Sequence, residues 1–150
     1  MYKVLNDDGS CCKGGHGSWP LPTKREDGSW EPGAWLEVVG DLRPCHNGLH
    51  LCDGEAQLLE WLGPTVFEAE YEGERIGAED KVVVRKARLL RRVEAWNERT
   101  ARLFACDCAE HVLPLYERAH PDDERQRRAI EVARRYAWGE ATPAELAAAW

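Results

Sequence analysis

The hydrophobic and polar positions follow two different periods in the two halves of the chain. Around residues 65–71 and 81–93, apolar residues alternate with polar ones or run together as valines, which is typical of β-strands. From Glu94 onward the apolar residues recur every three to four positions, as they do along one side of an α-helix. The pattern therefore predicts an α+β protein, with a small, mostly antiparallel β unit at residues 1–93 and a helical segment of two to three helices at residues 94–150, packed on the β unit.

Turn residues divide the first part of the chain into short elements. Glycines and prolines are frequent in the first 40 residues and leave room only for short strands. Gly73 is expected to end the strand that begins at Thr65, and the Lys81–Val93 strand is expected at a solvated edge of the sheet. The predicted elements are strands at Tyr2–Leu5, Ala34–Val39, Leu49–Cys52, Thr65–Tyr71 and Lys81–Val93, with a short helix at Glu55–Leu62.

Three helices are expected after Glu94. Pro114 should kink or end the first, Asp122 or Asp123 can cap a second that reaches about Ala137, and a capping box at Thr142 opens a third. One side of the first helix is predicted to carry Trp96, Thr100, Leu103, Phe104, Cys108, His111, Val112 and Leu115.

Composition indicates a soluble protein of a reducing compartment. The 150 residues are 43% hydrophobic and 31% charged, and no apolar run approaches the roughly 20 residues of a membrane helix. The N-terminal residues lack the features of a secretory signal, so we expect a cytoplasmic protein and no membrane contact. In that compartment the six cysteines are expected to be free, buried or metal-binding rather than paired as disulfides.

Charge is distributed unevenly along the chain. Residues 1–80 hold 6 Lys/Arg against 16 Asp/Glu, whereas residues 81–150 hold 14 against 11. An acidic front half favours a protein partner with a basic surface over a nucleic acid, which requires clustered cations. The predicted protein-binding residues are the glutamates at the end of the 65–71 strand, Glu68, Glu70, Glu72 and Glu74. A nucleic-acid contact remains an alternative through the basic run Lys81, Arg85, Lys86, Arg88, Arg91 and Arg92.

The segment Pro44–Cys52 holds two cysteines and two histidines in nine residues. Cys45, His50 and Cys52 could supply thiolate and imidazole ligands to Zn²⁺, with a fourth ligand from Cys11, Cys12 or His16. The spacing of six residues between the two cysteines is not that of common zinc modules, so the favoured interpretation is a hydrogen-bonded His50 and no cofactor. A second group, Cys106, Cys108 and His111, lies on a predicted helix and is expected to pack in the helical core rather than to bind a metal.

The front half resembles a family of uncharacterised domains that is frequent in phage and prophage genomes. The resemblance rests on Tyr2-Lys3, on the Cys12–Gly15 turn and above all on Cys-x-x-Gly-Leu-His-x-Cys at Cys45–Cys52, and it covers about residues 1–93. This family implies no known activity.

The back half resembles the start of a helical family of immunity proteins. The matching segments are Ala105–Glu117, Pro121–Arg125 and Arg128–Glu131, and members usually continue with further Ala-rich helices. The resemblance implies that the chain neutralises another protein.

An enzymatic alternative comes from the order of elements. A Tyr-x-Val first strand, a Gly-Leu-His second strand and a late Glu-bearing strand are similar to small ADP-ribosyltransferase-like folds. Tyr2 or His50 would then hold nicotinamide, and Glu68 or Glu70 would orient the ribose. The sequence shows no nucleotide-binding motif and no complete set of residues for nucleophilic catalysis, so the favoured function is non-catalytic. We expect a phage- or prophage-type accessory factor that binds a host or competitor protein and inhibits or neutralises it, in an anti-defence or immunity-like role. The second alternative is a zinc-stabilised nucleic-acid-binding module.

Overall fold

The computed structural model describes residues 1–149. The chain divides into two compact units, Met1–Glu94 (unit 1) and Ala95–Trp150 (unit 2). Unit 1 is an antiparallel β structure with one short helix, and unit 2 is helical, so the α+β fold class predicted from the sequence is confirmed.

Unit 1 is built on a long β-hairpin. Its elements are β1 (Tyr2–Leu5), β2 (Thr23–Lys24), β3 (Trp30–Glu31), β4 (Leu36–Glu37), β5 (Leu49–Leu51), α1 (Glu55–Trp61), β6 (Thr65–Gly77) and β7 (Val82–Arg92). The hairpin strands β6 and β7 pair antiparallel along most of their length, and β2 and β3 form a separate two-stranded sheet. In the part of the hairpin where charged residues alternate with the buried Ala69, Ala87 and Leu89, one face points inward and the other is left for solvent.

Strand β6 does not end at Gly73, as the sequence had indicated. It continues to Gly77, with a register shift between Glu72 and Arg75. Gly73 has φ +81°, a conformation that costs glycine little and that allows an irregularity in the strand without breaking it. The glycine therefore marks a bulge rather than a terminus.

The remaining strands pair around the hairpin and close it. β1 pairs with β6, and β5 and β4 pair with successive parts of β7. Tyr2 and Cys52 then exchange two backbone hydrogen bonds of 2.9 and 2.8 Å, which joins β1 to the end of β5. The pairings thus run from β1 through β6, β7 and β5 back to β1. The core inside consists of Leu5, Trp19, Leu51, Phe67, Ala69, Val82, Val84, Ala87 and Leu89.

The expectation that residues 81–93 form an edge strand is wrong. β7 lies inside the sheet, between β6 on one side and β4 and β5 on the other. Val82, Val83 and Val84 are buried, and the burial of their apolar side chains stabilises β7 in the centre of the sheet. The predicted strand Ala34–Val39 is reduced to two residues, but Gly33 N–H and Val38 N–H still donate to β7, at the carbonyls of Leu89 and Arg85.

Unit 2 contains the three expected helices, α2 (Glu98–Ala119), α3 (Arg125–Ala137) and α4 (Pro143–Ala148). Capping boxes open α2 at Asn97 and α4 at Thr142. Before α3, the Asp123 carboxylate accepts a hydrogen bond from Arg125 N–H at 3.1 Å, one residue ahead of the N-cap position. None of the helices in the described residues is long and apolar enough to cross a membrane.

Pro114 does not end α2. The helix continues past it to Ala119, although proline lacks the N–H that would bond one turn back. Pro114 is exposed, and so is Glu110, whose carbonyl would accept from an N–H at position 114, so we expect water to replace the missing donor. The cost is therefore small enough for the helix to continue.

Candidate functional site

A cleft of about 510 Å³ opens in unit 1 at the point where β1 meets β5. One wall is Tyr2, Lys3 and Val4 of β1. The other walls come from the loop between Cys11 and Trp19, from the segment between Cys45 and Cys52, and from Trp61 and Lys81. The Tyr2–Cys52 hydrogen bonds hold the two strands together at this place. The cleft lies within one unit, and its size is that of a small-molecule site.

Lys3 is partly buried in this cleft. Its Nζ donates to the carbonyl oxygen of His50 at 3.0 Å and lies 5.1 Å from the centre of the Trp19 ring. Burial lowers the pKa of the ammonium, while the nearby thiols of Cys11, Cys52 and Cys12 oppose that effect. The ammonium of Lys3 has one carbonyl and one ring face as neighbours, and these replace only part of the hydration that it loses on burial.

His50 and the two cysteines of its segment are arranged around a backbone hydrogen bond. Cys45 N–H donates to Nε2 of His50 at 3.0 Å, so the imidazole acts as an acceptor there. Burial lowers the pKa of His50, and the positive charges of Lys3 and Lys81 lower it further. Burial raises the pKa of the Cys52 thiol, with Lys3 opposing. Both shifts favour the neutral form of the group.

Gly48 sits between Cys45 and His50 for steric as well as conformational reasons. Its φ is +135°, and a Cβ placed on it would lie 2.1 Å from Cγ1 of the fully buried Val83. The turn therefore approaches β7 more closely than any side chain would permit.

Lys81 closes the opposite side of the cleft. Its Nζ bonds to the Asp80 carboxylate at 2.8 Å and lies 4.6 Å from the centre of the Trp61 ring, whose Nε1 donates to the Asp80 carbonyl. The hydrogen bond to Asp80 raises the pKa of Lys81. Unlike Lys3, this lysine has a counter-charge.

Within the described part of the chain, no three His, Cys, Asp or Glu side chains are gathered where they could hold a metal ion. Of the zinc ligands considered from the sequence, Cys45 is exposed, Cys52 is buried and Nε2 of His50 is engaged by a backbone amide. All six cysteines are free thiols.

The four residues of the enzymatic alternative are only partly brought together. Tyr2 and His50 line the cleft, and Glu68 lies opposite Tyr2 in the β1–β6 register. Glu68 and Glu70 are not part of the cleft walls, and each bonds to an arginine of β7.

The four glutamates predicted to bind a protein form a ladder of ion pairs with the basic run. Glu68 bonds to Arg91 and Glu70 to Arg88, both at 2.5 Å, and Glu72 bonds to Lys86 at 2.6 Å. Glu74 bonds to Arg85. The hydrogen bond from Arg91 lowers the pKa of Glu68. Because the hairpin brings acidic and basic segments together, unit 1 as a whole has 12 Lys/Arg against 17 Asp/Glu.

In unit 2, part of the apolar side predicted for α2 faces outward. Cys106 and Leu113 are the buried residues of α2, and α3 contributes Ala129 and Ala133. Arg134 of α3 ties the two helices together through Asp107 and Glu110, at 2.8 and 2.7 Å. We use the term α2 stripe for the exposed residues Phe104, Cys108, His111, Val112 and Leu115, which fall within about 100° of the helix surface.

Sequence reasoning did not single out Lys3, Lys13, Trp19 or Trp61 as site residues. A lysine between apolar residues of a first strand was a signal, because alternation would point it to the same side as Leu5. Trp61 and Lys81 reach the cleft only because strands distant in sequence pair with one another. No local sequence pattern indicated their place in the cleft wall.

Comparison with curated proteins gives no match, and neither does comparison with solved structures. Two family models match. Residues 91–149 match the family described as Imm-5 like putative immunity protein, which agrees with the resemblance drawn from the helical segment. Residues 1–100 match the family described as domain of unknown function DUF7666. Since that match spans two thirds of the chain, the protein belongs to the DUF7666 family.

Proposed function

We propose that this protein is a non-catalytic, protein-binding factor of phage or prophage type that neutralises a host or competitor protein in an immunity-like or anti-defence role. The observation that carries the proposal is the match of residues 91–149 to an immunity-protein family. That match supports an immunity-like role in general, and the target and its inhibition are our inference.

The α2 stripe supports a protein partner. Val112 is 52% exposed, Leu115 61% and Phe104 39%, all on one side of a helix whose other side packs on α3. Apolar side chains aligned on one face of a helix are the usual way in which a helix docks into a groove of another protein. We therefore place the main contact on this stripe, against an apolar groove of the partner.

The glutamate ladder is a second candidate contact, for a partner with a basic surface. Each of Glu68, Glu70, Glu72 and Glu74 already has a cation across the hairpin, so a basic partner would have to compete with β7. The same pairing occupies four cations of the basic run, which weakens the nucleic-acid alternative, because free cations are needed to bind phosphates.

The test begins with a tagged wild-type chain, whose co-purifying partner is identified by mass spectrometry. The partner is then purified, and its direct binding to the chain is measured. Val112→Glu and Leu115→Glu place a charge in the stripe and should weaken binding about 30-fold or more, since central apolar anchors contribute about 2 kcal/mol or more. Gln126→Glu on α3 adds the same charge at another exposed position and should bind like the wild type.

Two further results decide between this function and its alternatives. The wild-type chain should suppress the activity of the purified partner, whereas both stripe variants should not. After incubation with the chain and NAD, the intact mass of the partner should be unchanged. A partner that binds both stripe variants normally would refute the stripe as the contact, and an ADP-ribose adduct lost on Glu68→Gln or Glu70→Gln would establish the enzymatic alternative.

A further inference from the structure

The cations of unit 1 are almost all paired with carboxylates. Among its described residues, the side-chain cations without a carboxylate within 4.0 Å are Lys3, Lys13 and Arg43. Lys3 and Lys13 both line the cleft, and Arg43 does not. In an acidic chain, where carboxylates outnumber cations, two unpaired lysines in one concave site call for an explanation.

The walls of the cleft contain no carboxylate. Their titratable residues are Lys3, Lys13, Lys81, three histidines, four cysteines and Tyr2. Lys81 is neutralised from outside by Asp80, so the unbalanced positive charge belongs to Lys3 and Lys13. A partly buried charge without a counter-ion is unfavourable, and an anion bound beside it would remove that cost.

The loop that carries Lys13 adds hydrogen-bond donors to the same cleft. Its ends are tied by Cys11 N–H bonding to the Gly17 carbonyl at 3.2 Å, and Gly14 and Gly15 line the cleft. Within the described chain, the backbone N–H groups of residues 12–17 have no acceptor. A glycine-rich loop with successive free N–H groups is a favourable surface for an oxyanion.

We propose that this cleft binds the oxyanion group of a small organic molecule, a phosphate or a carboxylate, with Lys3 and Lys13 as the cationic ligands and the 12–17 loop as a source of N–H donors. The volume of about 510 Å³ exceeds what a single oxyanion fills, which leaves room for an organic moiety beside Trp19 and Trp61. This inference is independent of the α2 stripe and of the proposed protein partner.

Binding should be coupled to the protonation of Lys3. The groups that face Lys3 are the thiols of Cys11 and Cys12 from the loop, and Cys52 and His50 at the end of β5. An anion raises the pKa of Lys3 toward its ordinary value, so the complex takes up protons and its affinity falls as the pH rises through the lowered pKa of Lys3.

The experiment is calorimetric titration of the full chain in phosphate-free buffer with inorganic phosphate, adenosine monophosphate, succinate and uncharged adenosine. At least one of the three anions should bind and adenosine should not, and comparing phosphate with succinate identifies the oxyanion. Lys13→Gln, at an exposed position, should weaken anion binding about tenfold, as expected for a charge-assisted hydrogen bond. Arg43→Gln is the matched control, since it removes the other unpaired cation from outside the cleft.

Two readouts protect the test from a folding defect. Lys3→Met keeps an unbranched side chain at this partly buried position and removes the charge, and circular dichroism checks its fold. If Lys3→Met does not fold, the comparison of Lys13→Gln with Arg43→Gln decides. Titration in two buffers of different ionisation enthalpy measures proton uptake, and a folded Lys3→Met variant should lose the part of that uptake that Lys3 contributes. If no anion binds, or if Lys13→Gln and Arg43→Gln weaken binding equally, the proposal is overturned.

Discussion

Replacing Gly48 with alanine should destabilise unit 1 through two separate effects. The first is conformational, because φ +135° is unfavourable for any residue with a Cβ and costs about 1–3 kcal/mol. The second is steric, because the new Cβ would lie 2.1 Å from Val83 Cγ1 and 3.2 Å from Leu42 Cδ2, and Val83 is fully buried in the centre of the sheet. Forcing a methyl group into such a packed site costs about 1–3 kcal/mol more. The total expected loss is therefore about 2–6 kcal/mol.

A double-mutant cycle separates the two effects. Val83→Ala removes the atom that the new methyl group would strike, at a cost of about 2 kcal/mol for the two buried methyl groups. In that background Gly48→Ala should cost its conformational part and the milder contact with Leu42 Cδ2, giving a coupling of up to about 1–3 kcal/mol between positions 48 and 83. Gly28→Ala is the control for the conformational effect alone, because Gly28 has φ +85° and nothing within 4 Å of an added Cβ.

Amide hydrogen exchange in β7 is the suitable assay, since the slowest amides of a central strand report the unfolding of unit 1 separately from the helices. Chemical denaturation followed by circular dichroism provides an independent midpoint. If Gly48→Ala lowers the free energy of unfolding no more than Gly28→Ala does, or if the cycle shows no coupling, then the Cys45–His50 turn does not approach β7 as closely as described.

Three further predictions concern the cleft and the hairpin. Purified protein should contain no stoichiometric zinc and should keep its melting temperature in a chelator; one equivalent of zinc, lost together with stability in Cys52→Ser, would contradict this. Because the pKa of His50 is lowered on folding, the unfolded state takes up a proton first as the pH falls below about 6.5, so stability should decline there, and the decline should be smaller in His50→Gln. Glu70→Lys places like charges opposite each other across the hairpin and should cost about 0.2–1 kcal/mol in thermal unfolding at low salt, with recovery in the exchange variant Glu70→Lys/Arg88→Glu. Equal stability of the single and double variants would show that the pair contributes nothing.

The local parts of the fold could be predicted from the sequence, because their signals are local. The Thr142 capping box and the apolar run of Val82–Val84 each involve only a few neighbouring residues, and the structure contains both the helix and the strand. The position of β7 within the sheet could not be predicted, because charges on its outer face look the same at an edge as in the centre. What decides the position is pairing with β4 and β5, which lie far away in sequence.

The same reasoning applies to the surfaces. The helical period of α2 could be recognised in the sequence. Because small residues such as Ala105 and Ala109 lie between the larger ones, however, the sequence left two faces of the helix that could be buried. The structure buries Cys106 and Leu113 against α3 and leaves much of the larger apolar side outside. Similarly, Glu68 to Glu74 look like a free acidic patch in the sequence, whereas in the folded hairpin each glutamate forms an ion pair with a cation of β7. The composition of a segment does not reveal which segment will lie next to it.

The closure of unit 1 through Tyr2 and Cys52 has a kinetic consequence. β1 bonds to Cys52 and to the Thr65–Glu68 part of β6, so neither partner of the first strand lies near it along the chain. When two residues are distant in sequence, the chain loses much conformational entropy before their contact forms and stabilises the fold. Folding is slower for this reason. The contacts of α2 with α3 join residues much closer in sequence, and we expect unit 2 to fold faster than unit 1. On a ribosome, β1 would wait unpaired until the hairpin had been synthesised, which makes this strand the part of the chain most exposed to misassociation before the ring closes.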